Sequence, residues 1–432
     1  MNTTSLPVFD QSLARTGLRV AFVGTYPPRR CGIATFTRDL ANAVGVQPGP
    51  DRLTRQATRP GPRAARVEVV ALDREERAFP PEVKLRLRTD QPGDYYAIAD
   101  RLNRAAHHVV SLQHEYGIYG GDDGERVLDL LAELEVPVVS TFHTVLANPS
   151  NRQHRILRAV ADLSARVVVL SEAAADRLPL RYGIDPRKVE VIPHGVPDLP
   201  FVDPELVKPT VGLAGRPAIL SFGLLGPGKG YELAIRAMAA VVKEVPTACY
   251  VILGATHPDL RAREGEAYRD SLQQLVAELG LADHVRFVDE YVDLPTLGRW
   301  LQAADVFVTP YPGAEQVVSG TLAYALGTGK ALVSTPYAYA QELLADGRGR
   351  LVPFGDSAAL GREIRSFLTD EPARDMARRL AYHHGRQMTW PVVGAEYRRL
   401  FAAVVAQGDR FERRRAAQPL APAPGQEARS FG

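Results

Sequence analysis

The 432-residue chain has little cysteine and no long apolar run, and each shortage excludes a class of protein. Two cysteines, Cys31 and Cys249, are too few for a disulfide framework or a cysteine zinc site, which favours a reducing compartment. The sequence has no run of about 18 apolar residues, so we expect no membrane-spanning helix. The first residues lack the basic start and apolar core of a signal peptide. We therefore expect a soluble, cytoplasmic protein.

The sequence also has almost no net charge. The 52 Lys and Arg residues against 50 Asp and Glu leave a net charge of +2, so we predict no nucleic-acid partner. The sequence has no Asp-x-Asp pair to hold a divalent ion, so positive charge at an active site must come from the protein itself. The hydrophobic content of 45% and charged content of 24% are ordinary for a globular protein, and the length predicts two domains.

A glycine-rich loop lies between a predicted strand and a predicted helix. Residues 218–222 form a short apolar run, and helical spacing resumes at Ile235 and Met238. Between them lie Lys229 and the glycines Gly223, Gly226, Gly228 and Gly230. Such a junction directs backbone N–H groups and a helix dipole at one point, which predicts a phosphate or diphosphate site. Because Gly230 follows Lys229 and no GxGxxG is present, the loop is neither a P-loop nor a dinucleotide fingerprint. The alternative is a glycine-rich turn with a solvated lysine.

The first half of the chain has the pattern of a doubly wound parallel sheet. After a flexible leader at 1–17, continuous β-branched runs alternate with helical spacing, as expected for strands covered on both faces. A stretch rich in Pro, Arg and Gly at 46–66 predicts an exposed loop. We expect a Rossmann-like domain at 18–200, with strands at 18–23, 67–72, 108–112, 136–141, 166–170 and 189–192.

The second half repeats this pattern after a proline- and glycine-rich linker at 201–217. We predict a second Rossmann-like domain at 218–387, with strands at 218–222, 250–253, 285–288, 306–309, 331–334 and 349–352. Two such sheets joined by a hinge place their ligand crevices face to face.

The C-terminal end of the sequence divides into a helix and a tail. Residues 388–407 carry an apolar stripe at helical spacing, and residues 408–432 are predicted to form a disordered tail. The basic cluster that begins at Arg410 could make a weak peripheral contact with an anionic membrane surface, or could simply be solvated.

Several ordered motifs make the chain similar to a known family. They are Thr25-Tyr-Pro-Pro-Arg-Arg-Cys-Gly-Ile-Ala-Thr-Phe, Gln113-His-Glu-Tyr-Gly, Thr141-Phe-His-Thr, Val191-Ile-Pro-His-Gly-Val, the lysine-glycine loop, and Ala304-Asp-Val-Phe-Val-Thr-Pro-Tyr leading to Ser319-Gly-Thr-Leu-Ala-Tyr-Ala. Over residues 18–407 they resemble the family 4 glycosyltransferases of the GT-B fold, within them the mannosyltransferase-like branch. The resemblance implies an α/β protein whose two Rossmann-like domains close across a cleft on a nucleotide sugar. It also implies a donor on the C-terminal domain, an acceptor on the N-terminal domain, and a last helix that packs back on the N-terminal domain.

Two positions depart from the family pattern. Where the family usually has an arginine that reaches the diphosphate, this chain has Leu224. Where the family usually has two glutamates eight positions apart, one near the transferred sugar and one on the ribose, this chain has Gln316 and Tyr324, with Glu315 beside the first. We interpret the departures as marks of a specialised enzyme and leave the ribose contact unassigned.

We expect the donor at the carboxyl ends of the second sheet. Lys229 and the helix N-terminus at Ser319 both supply positive charge to a departing diphosphate, and Ser319 is expected to act as an N-cap as well. By resemblance, His143 contacts the donor sugar and Glu315 lies near it, although a lone histidine is often only a structural hydrogen-bonding group. The predicted donor-binding residues are Gly223, Gly228, Lys229, Gly230, Gln316, Ser319, Gly320, Thr321 and Tyr324, and the predicted catalytic residues are His143, Lys229 and Glu315.

We expect the acceptor at the loops of the first domain. Arg29 and Arg30 could hold an acidic or phosphorylated acceptor, or could be merely exposed. His114 and Glu115 could orient the acceptor, act as an acid/base pair, or form a buried pair that shapes the loop. His194 lies near the hinge, where we favour a structural role. The predicted acceptor-binding residues are Arg29, Arg30, Gly32, His114, Glu115 and Tyr116.

The predicted function is a metal-independent, retaining transfer of a hexose, in the first place mannose from GDP-mannose, to a glycan or glycoside acceptor, as in polysaccharide biosynthesis. No cofactor besides the nucleotide-sugar co-substrate is expected. The scheme that the resemblance implies has the sugar leave and be attacked on the same face. The alternatives are a UDP-sugar-dependent glycosyltransferase, a GT-B sugar phosphorylase, a non-catalytic nucleotide- or glycan-binding protein and, on fold alone, a nucleotide-sugar epimerase.

Overall fold

The computed structural model describes residues 17–45 and 65–417. Nearly all of the predicted leader at 1–17 and most of the predicted loop at 46–66 therefore lie outside the described residues, as does the predicted tail beyond residue 417. Among the described residues, no helix is both long and apolar enough to cross a membrane.

The N-terminal domain is built on a seven-stranded parallel sheet of order β3-β2-β1-β4-β5-β6-β7. Its strands are β1 Arg19–Gly24, β2 Arg66–Asp73, β3 Val83–Arg88, β4 Val109–His114, β5 Val138–Phe142, β6 Arg166–Val169 and β7 Val189–Val191. Six of them match the predicted strands, and β3 was not predicted. It is an edge strand in which apolar and charged residues alternate, so it lacks the continuous apolar run that marks the others.

The helices of this domain lie on both faces of the sheet. They are α1 Gly32–Gly45, α2 Pro92–Arg104, α3 Val127–Glu133, α4 Asn151–Leu163 and α5 Glu172–Tyr182. Local capping defines their ends: Ser150 and Gln153 form a capping box at α4, and Ser171 caps α5 through the N–H of Ala174. Two apolar clusters of buried residues, one on each face, make the core.

The C-terminal domain has six parallel strands in the order β10-β9-β8-β11-β12-β13. They are β8 Ala218–Phe222, β9 Cys249–Leu253, β10 Val285–Val288, β11 Val306–Thr309, β12 Ala331–Ser334 and β13 Arg350–Leu351, as expected from the sequence. In both sheets the connection order reverses in the middle, at β1/β4 and at β8/β11. Ligands of open parallel sheets bind beyond the carboxyl ends of the strands at such a point.

The C-terminal sheet is also covered on both faces. Its helices are α6 Pro204–Val207, α7 Tyr231–Glu244, α8 Pro258–Glu264, α9 Ala267–Glu278, α10 Leu294–Ala303, α11 Gly320–Gly327, α12 Ala338–Leu343, α13 Ser357–Thr369 and α14 Glu371–Gly385. Within the segment predicted as a linker, Lys208 is buried and its Nζ lies 2.8 Å from Oδ2 of Asp305. This part of the segment is packed against the C-terminal domain.

The last helix, α15 Trp390–Ala417, returns to the N-terminal domain. The hydroxyls of Tyr397 and Thr141 lie 3.0 Å apart, and Phe401 packs edge-on against Phe22 with ring centroids 6.4 Å apart. The helix extends past the predicted end at residue 407, so residues 408–417 are helical and the prediction of disorder from residue 408 was wrong for them.

Candidate active site

The glycine loop joins β8 to α7 in the geometry predicted for an anion site. Gly230 has φ 68°, and a Cβ there would collide with the carbonyl oxygen of Pro310, so this position requires glycine. Gly223, with φ 134°, lies against the methyl group of Thr321, and Gly228 belongs to a 3₁₀ turn at Pro227–Lys229. The loop thus runs beside the start of α11.

Lys229 is directed at a tyrosine and is not an extended, solvated side chain. Its Nζ lies 3.5 Å from the hydroxyl of Tyr311 and 4.5 Å from the centre of that ring. A cation at this distance from an aromatic face is held by the ring quadrupole. The ammonium group is therefore fixed beside the carboxyl end of β11.

The hydroxyl of Tyr311 also meets the beginning of α11. It lies 2.9 Å from Oγ1 of Thr321 and 3.5 Å from Oγ of Ser319, and those two oxygens are 3.1 Å apart. Ser319 accepts a hydrogen bond from the N–H of Leu322 at 3.3 Å, so the predicted N-cap is present. The first N–H groups of a helix have no partner within it, which adds positive potential at this point. We call Lys229, Tyr311, Ser319 and Thr321 the lysine-hydroxyl cluster.

Electrostatics within this cluster act on the phenol. Burial on its own would raise the pKa of the Tyr311 hydroxyl, but the charge of Lys229 and the hydrogen bonds from Ser319 and Thr321 outweigh it, so the pKa lies below its usual value of 10.0. The surroundings of this hydroxyl therefore favour negative charge, as an anion-binding site should.

Two histidines of the N-terminal domain pack around Phe36, and one of them, His194, also lies against Gly320 at the start of α11. The ring of Phe36 packs edge-on against His143 and His194, at centroid distances of 4.7 and 5.0 Å. A Cβ on Gly320 would lie 2.9 Å from Nε2 of His194, so the start of α11 approaches that ring closely. His194 hence has contacts across the cleft in addition to the structural role favoured from the sequence.

Burial keeps these histidines neutral. Nε2 of His143 lies 3.0 Å from Oε1 of Gln113, and burial, with smaller contributions from His194 and His114, lowers its pKa to about 3. Burial likewise lowers the pKa of His194 to about 4. At neutral pH such rings can hydrogen-bond but are poor proton acceptors, which suits a contact to a sugar hydroxyl better than general-base chemistry.

Glu315 and Gln316 lie at the domain interface. The carboxylate of Glu315 is 3.8 Å from a guanidinium nitrogen of Arg177 on α5, and Arg177 also donates to the Glu315 carbonyl oxygen at 2.9 Å. Gln316 donates to the carbonyl oxygen of Val318 at 2.8 Å, and the neighbouring Val317 is buried among apolar residues of the N-terminal domain. The predicted sugar loop is thus held in part by the opposite domain.

Tyr324, at the position expected for the ribose contact, is bonded to the N-terminal domain. Its hydroxyl donates to Oδ2 of Asp39 at 3.1 Å, and Arg38 pairs with the other oxygen of that carboxylate at 2.8 Å. Tyr324 is buried, and its ring also meets His194. In this arrangement its hydroxyl serves an interdomain contact.

The first predicted acceptor loop reaches the rim of the cleft. Gly32 begins α1, and Arg30 is exposed with its guanidinium 5.9 Å from the ring centre of Tyr291 on the C-terminal domain. The hydroxyls of Tyr291 and Thr35 are 3.0 Å apart. Arg29 is partly buried, so only Arg30 of the pair is fully open to solvent.

His114 and Glu115 do not form an acid/base pair. The His114 ring is fully buried beside Tyr119, neither of its nitrogens has a hydrogen-bond partner among the described residues, and burial lowers its pKa to about 3. Burial raises the pKa of Glu115, whose carboxylate accepts from Thr144 and from the N–H of Tyr116. Of the predicted roles, shaping the loop fits this geometry best, and Tyr116 is itself buried.

The sequence predicted Lys229, Ser319 and Thr321 as site residues, and the structure brings them together. It did not predict a set of residues that the structure places nearby: Tyr311, Phe36, Gln113, Asp39 and Arg177. Tyr311 lies just after β11 and Gln113 lies at the carboxyl end of β4, so their positions at strand ends could have identified them. Asp39 and Arg177 lie on helices, where no local pattern shows that they face the other domain.

Two family models match the chain, one on each domain. A model described as Glycosyltransferase Family 4 matches residues 56–198, and one described as Glycosyl transferases group 1 matches residues 216–370. The boundary between the two matches falls in the segment that precedes β8.

Two curated relatives extend the comparison. The chain is 27% identical over 387 residues to a D-inositol 3-phosphate glycosyltransferase of Jonesia denitrificans, covering 83% of this chain and 88% of the relative. It is 28% identical over 244 residues to a GDP-mannose-dependent alpha-(1-6)-phosphatidylinositol monomannoside mannosyltransferase of Mycolicibacterium smegmatis, covering 54% of this chain and 60% of the relative.

A solved structure shares the fold at low sequence identity. The crystal structure of Anabaena HepE in complex with UDP aligns with a TM-score of 0.66 and 16% identity, over 89% of this chain and 100% of that chain.

Proposed function

The chain belongs to the family 4 glycosyltransferases of the GT-B fold and is a nucleotide-sugar-dependent transferase; on that premise we propose that it moves mannose from GDP-mannose, with retention of configuration and without a metal ion, to a glycan or glycoside. The single observation that carries the proposal is the lysine-hydroxyl cluster. It gathers an ammonium group and three hydroxyls at a helix N-terminus, and the ring of His194 from the other domain lies close to Gly320 in that N-terminus. The Mycolicibacterium smegmatis relative is named as a GDP-mannose-dependent mannosyltransferase, which supports GDP-mannose as the donor.

The donor half of the site would stabilise the leaving group. As the bond between sugar and diphosphate breaks, negative charge grows on the phosphate oxygen, and fixed donors aimed at that oxygen lower the barrier. Lys229 and the first N–H groups of α11 supply those donors. The departing phosphate oxygen then takes the proton of the acceptor hydroxyl, which attacks the same face of the sugar, so no carboxylate nucleophile is needed.

The histidine half of the site would orient the sugar. His143 is neutral at physiological pH and is held by Gln113, so it can exchange a hydrogen bond with a hydroxyl of the transferred sugar. The described residues contain no group of three or more His, Cys, Asp or Glu that could hold a metal ion, and the proposal assigns the neutralisation of the diphosphate to Lys229 and the N-terminus of α11.

We infer that the acceptor carries negative charge, such as a phosphorylated polyol. Arg30 is exposed at the rim of the cleft, next to the N-terminus of α1, where an anion is favoured. The two relatives are named for an inositol phosphate and for a phosphatidylinositol monomannoside, which supports this class of acceptor.

A second candidate is a protein that binds nucleotide sugars without turnover. It is favoured by Leu224 and Tyr324, which replace the arginine and glutamate usual in the family. Tight nucleotide binding with no product from any of several acceptors would support it.

The test is a thermal-shift panel of GDP, UDP, ADP and their sugars, with EDTA or magnesium, followed by product analysis with phosphorylated and neutral acceptors. A ligand at about 100 times its Kd adds about 2.7 kcal/mol to the free energy of unfolding, which raises the midpoint visibly. We expect GDP compounds to stabilise the wild type in EDTA and to lose this effect in Lys229→Ala. Lys243→Ala, an exposed lysine of α7, is the matched control. Stabilisation by UDP compounds alone would change the proposed donor to a UDP-sugar. If no nucleotide shifts the midpoint, the lysine-hydroxyl cluster is not a nucleotide site.

A further inference from the structure

Tyr311 is held from several sides within the lysine-hydroxyl cluster. Its ring stacks on Tyr337, with centroids 5.1 Å apart and planes at 18°, and its carbonyl oxygen accepts from the hydroxyl of Thr335 at 2.6 Å. The Tyr337 hydroxyl in turn donates to Thr309 at 3.2 Å. Tyr311 is buried, so its hydroxyl is fixed in space before any ligand arrives.

Donor and acceptor chemistry sets the direction of the hydrogen bonds. An ammonium group can only donate, so Lys229 donates to the Tyr311 oxygen, whereas the three hydroxyls of the cluster can exchange donor and acceptor roles with one another. Two protons of the Lys229 ammonium group remain to be donated. A fixed cation with protons left to donate is what an anion requires.

We propose that Tyr311 is a positioning residue for the diphosphate of the donor, acting through Lys229. A free lysine side chain loses rotamer freedom when it binds an anion, and that loss weakens binding. Here the phenol oxygen and the ring face hold the ammonium group in advance, at 3.5 and 4.5 Å. The proposal rests on the proposed function in that the bound anion is a nucleotide diphosphate.

The experiment is a double-mutant cycle read by calorimetric titration in EDTA, with GDP and with inorganic pyrophosphate as probes. Tyr311→Phe keeps the ring stacked on Tyr337 but removes the hydroxyl. We expect it to weaken binding of both probes about tenfold in the wild-type background and by less than about twofold in Lys229→Ala, because its effect passes through the ammonium group.

Tyr250→Phe is the matched control. Tyr250 is a buried tyrosine of the same domain whose hydroxyl bonds to Ser221 at 3.0 Å, and its loss should leave both affinities unchanged. Tyr311→Met is measured in parallel, so that poor folding of one variant leaves the other to decide. Since it also removes the ring face, it should weaken binding more than Tyr311→Phe.

The possible results separate this proposal from the proposed function. Wild-type affinity for both probes in Tyr311→Phe, or an equal loss with and without Lys229, would overturn the role of Tyr311. Coupled loss of pyrophosphate binding with no binding of GDP would keep the role of Tyr311 and remove the nucleotide donor. Binding of neither probe by the wild type would overturn both.

Discussion

The two sides of the cleft present polar groups in opposite ways. The C-terminal side offers an ammonium group, hydroxyls and a helix N-terminus, whereas the N-terminal side offers the neutral rings of His143 and His194, edge-on to Phe36. Behind them His114 is buried without a polar partner among the described residues. In the proposed function, the C-terminal side binds the diphosphate and the two histidines meet the uncharged hydroxyls of the transferred sugar. The difference also separates the residues that should control donor binding from those that should control turnover.

The largest expected effect is the loss of stability in acid that the N-terminal side produces. An unfolded histidine takes up a proton below about pH 6.5, but His114, His143 and His194 stay neutral down to about pH 3, 3 and 4. The unfolded state therefore binds more protons in this window, and stability, fully present above about pH 6.5, falls as the pH drops towards the folded pKa values. Each histidine contributes up to about 1.4 kcal/mol per pH unit.

Urea unfolding at pH 7.5, 6.0 and 5.0 measures this dependence. His114→Leu removes one buried histidine without removing a hydrogen bond, so its stability should fall less steeply with decreasing pH than that of the wild type. Other acidic groups titrate in both proteins and cancel in the difference. The same slope for the two proteins would contradict a neutral, buried His114.

The next effect is that of charge on the C-terminal side. Lys229→Ala should lower kcat/KM by more than about 100-fold, since removal of a preorganised donor to a developing oxyanion costs about 3 kcal/mol. The exposed Lys243→Ala should retain wild-type activity. Steady-state kinetics with the donor found in the ligand panel gives both values. Retained activity in Lys229→Ala would contradict the assignment of Lys229 to the leaving diphosphate.

A smaller effect is expected at His143. His143→Ala should lower kcat about tenfold, the value of one hydrogen bond, and leave the affinity for GDP unchanged because the proposal has the ring contact the sugar and not the nucleotide. His143→Asn retains a donor and should recover part of the loss. If His143→Ala instead weakens GDP binding as strongly as Lys229→Ala does, the two sides of the cleft do not have separate tasks.

The smallest effect belongs to the interface around Glu315. This carboxylate is 55% exposed and 3.8 Å from Arg177, and exposed ion pairs contribute at most about 1 kcal/mol. Glu315→Ala should therefore weaken turnover several-fold without loss of GDP binding, and Arg177→Ala should act in the same direction. Loss of GDP binding in Glu315→Ala would show that the residue contacts the nucleotide and not the sugar.

Much of the fold could be predicted from the sequence because buried parallel strands leave a direct signal. Each continuous β-branched run became a strand, and the glycine loop became the strand-to-helix junction that it predicted. Strand β3 was not predicted because an edge strand needs only one apolar face and so lacks a continuous apolar run. The early end predicted for the last helix followed from composition, which does not exclude a helix made mainly of charged and small residues.

Only those residues of the candidate site whose role follows from their neighbours in the sequence could be predicted. Lys229, Ser319 and Thr321 each belong to a loop or helix start whose chemistry can be read within a few residues. The contacts of Tyr324 with Asp39, and of Glu315 with Arg177, join residues more than a hundred positions apart. They depend on how the two domains close, which no local periodicity encodes. His114 shows the same limit, since its position at the carboxyl end of β4 does not reveal where its ring is buried.

The most direct test of the account is a calorimetric titration of GDP in EDTA into the wild type, Lys229→Ala and His143→Asn. The account predicts metal-free binding to the wild type, a Kd at least about tenfold higher for Lys229→Ala, and a Kd within about twofold of the wild type for His143→Asn. Equal affinities for the wild type and Lys229→Ala would contradict it, because the lysine-hydroxyl cluster would then not be the diphosphate site.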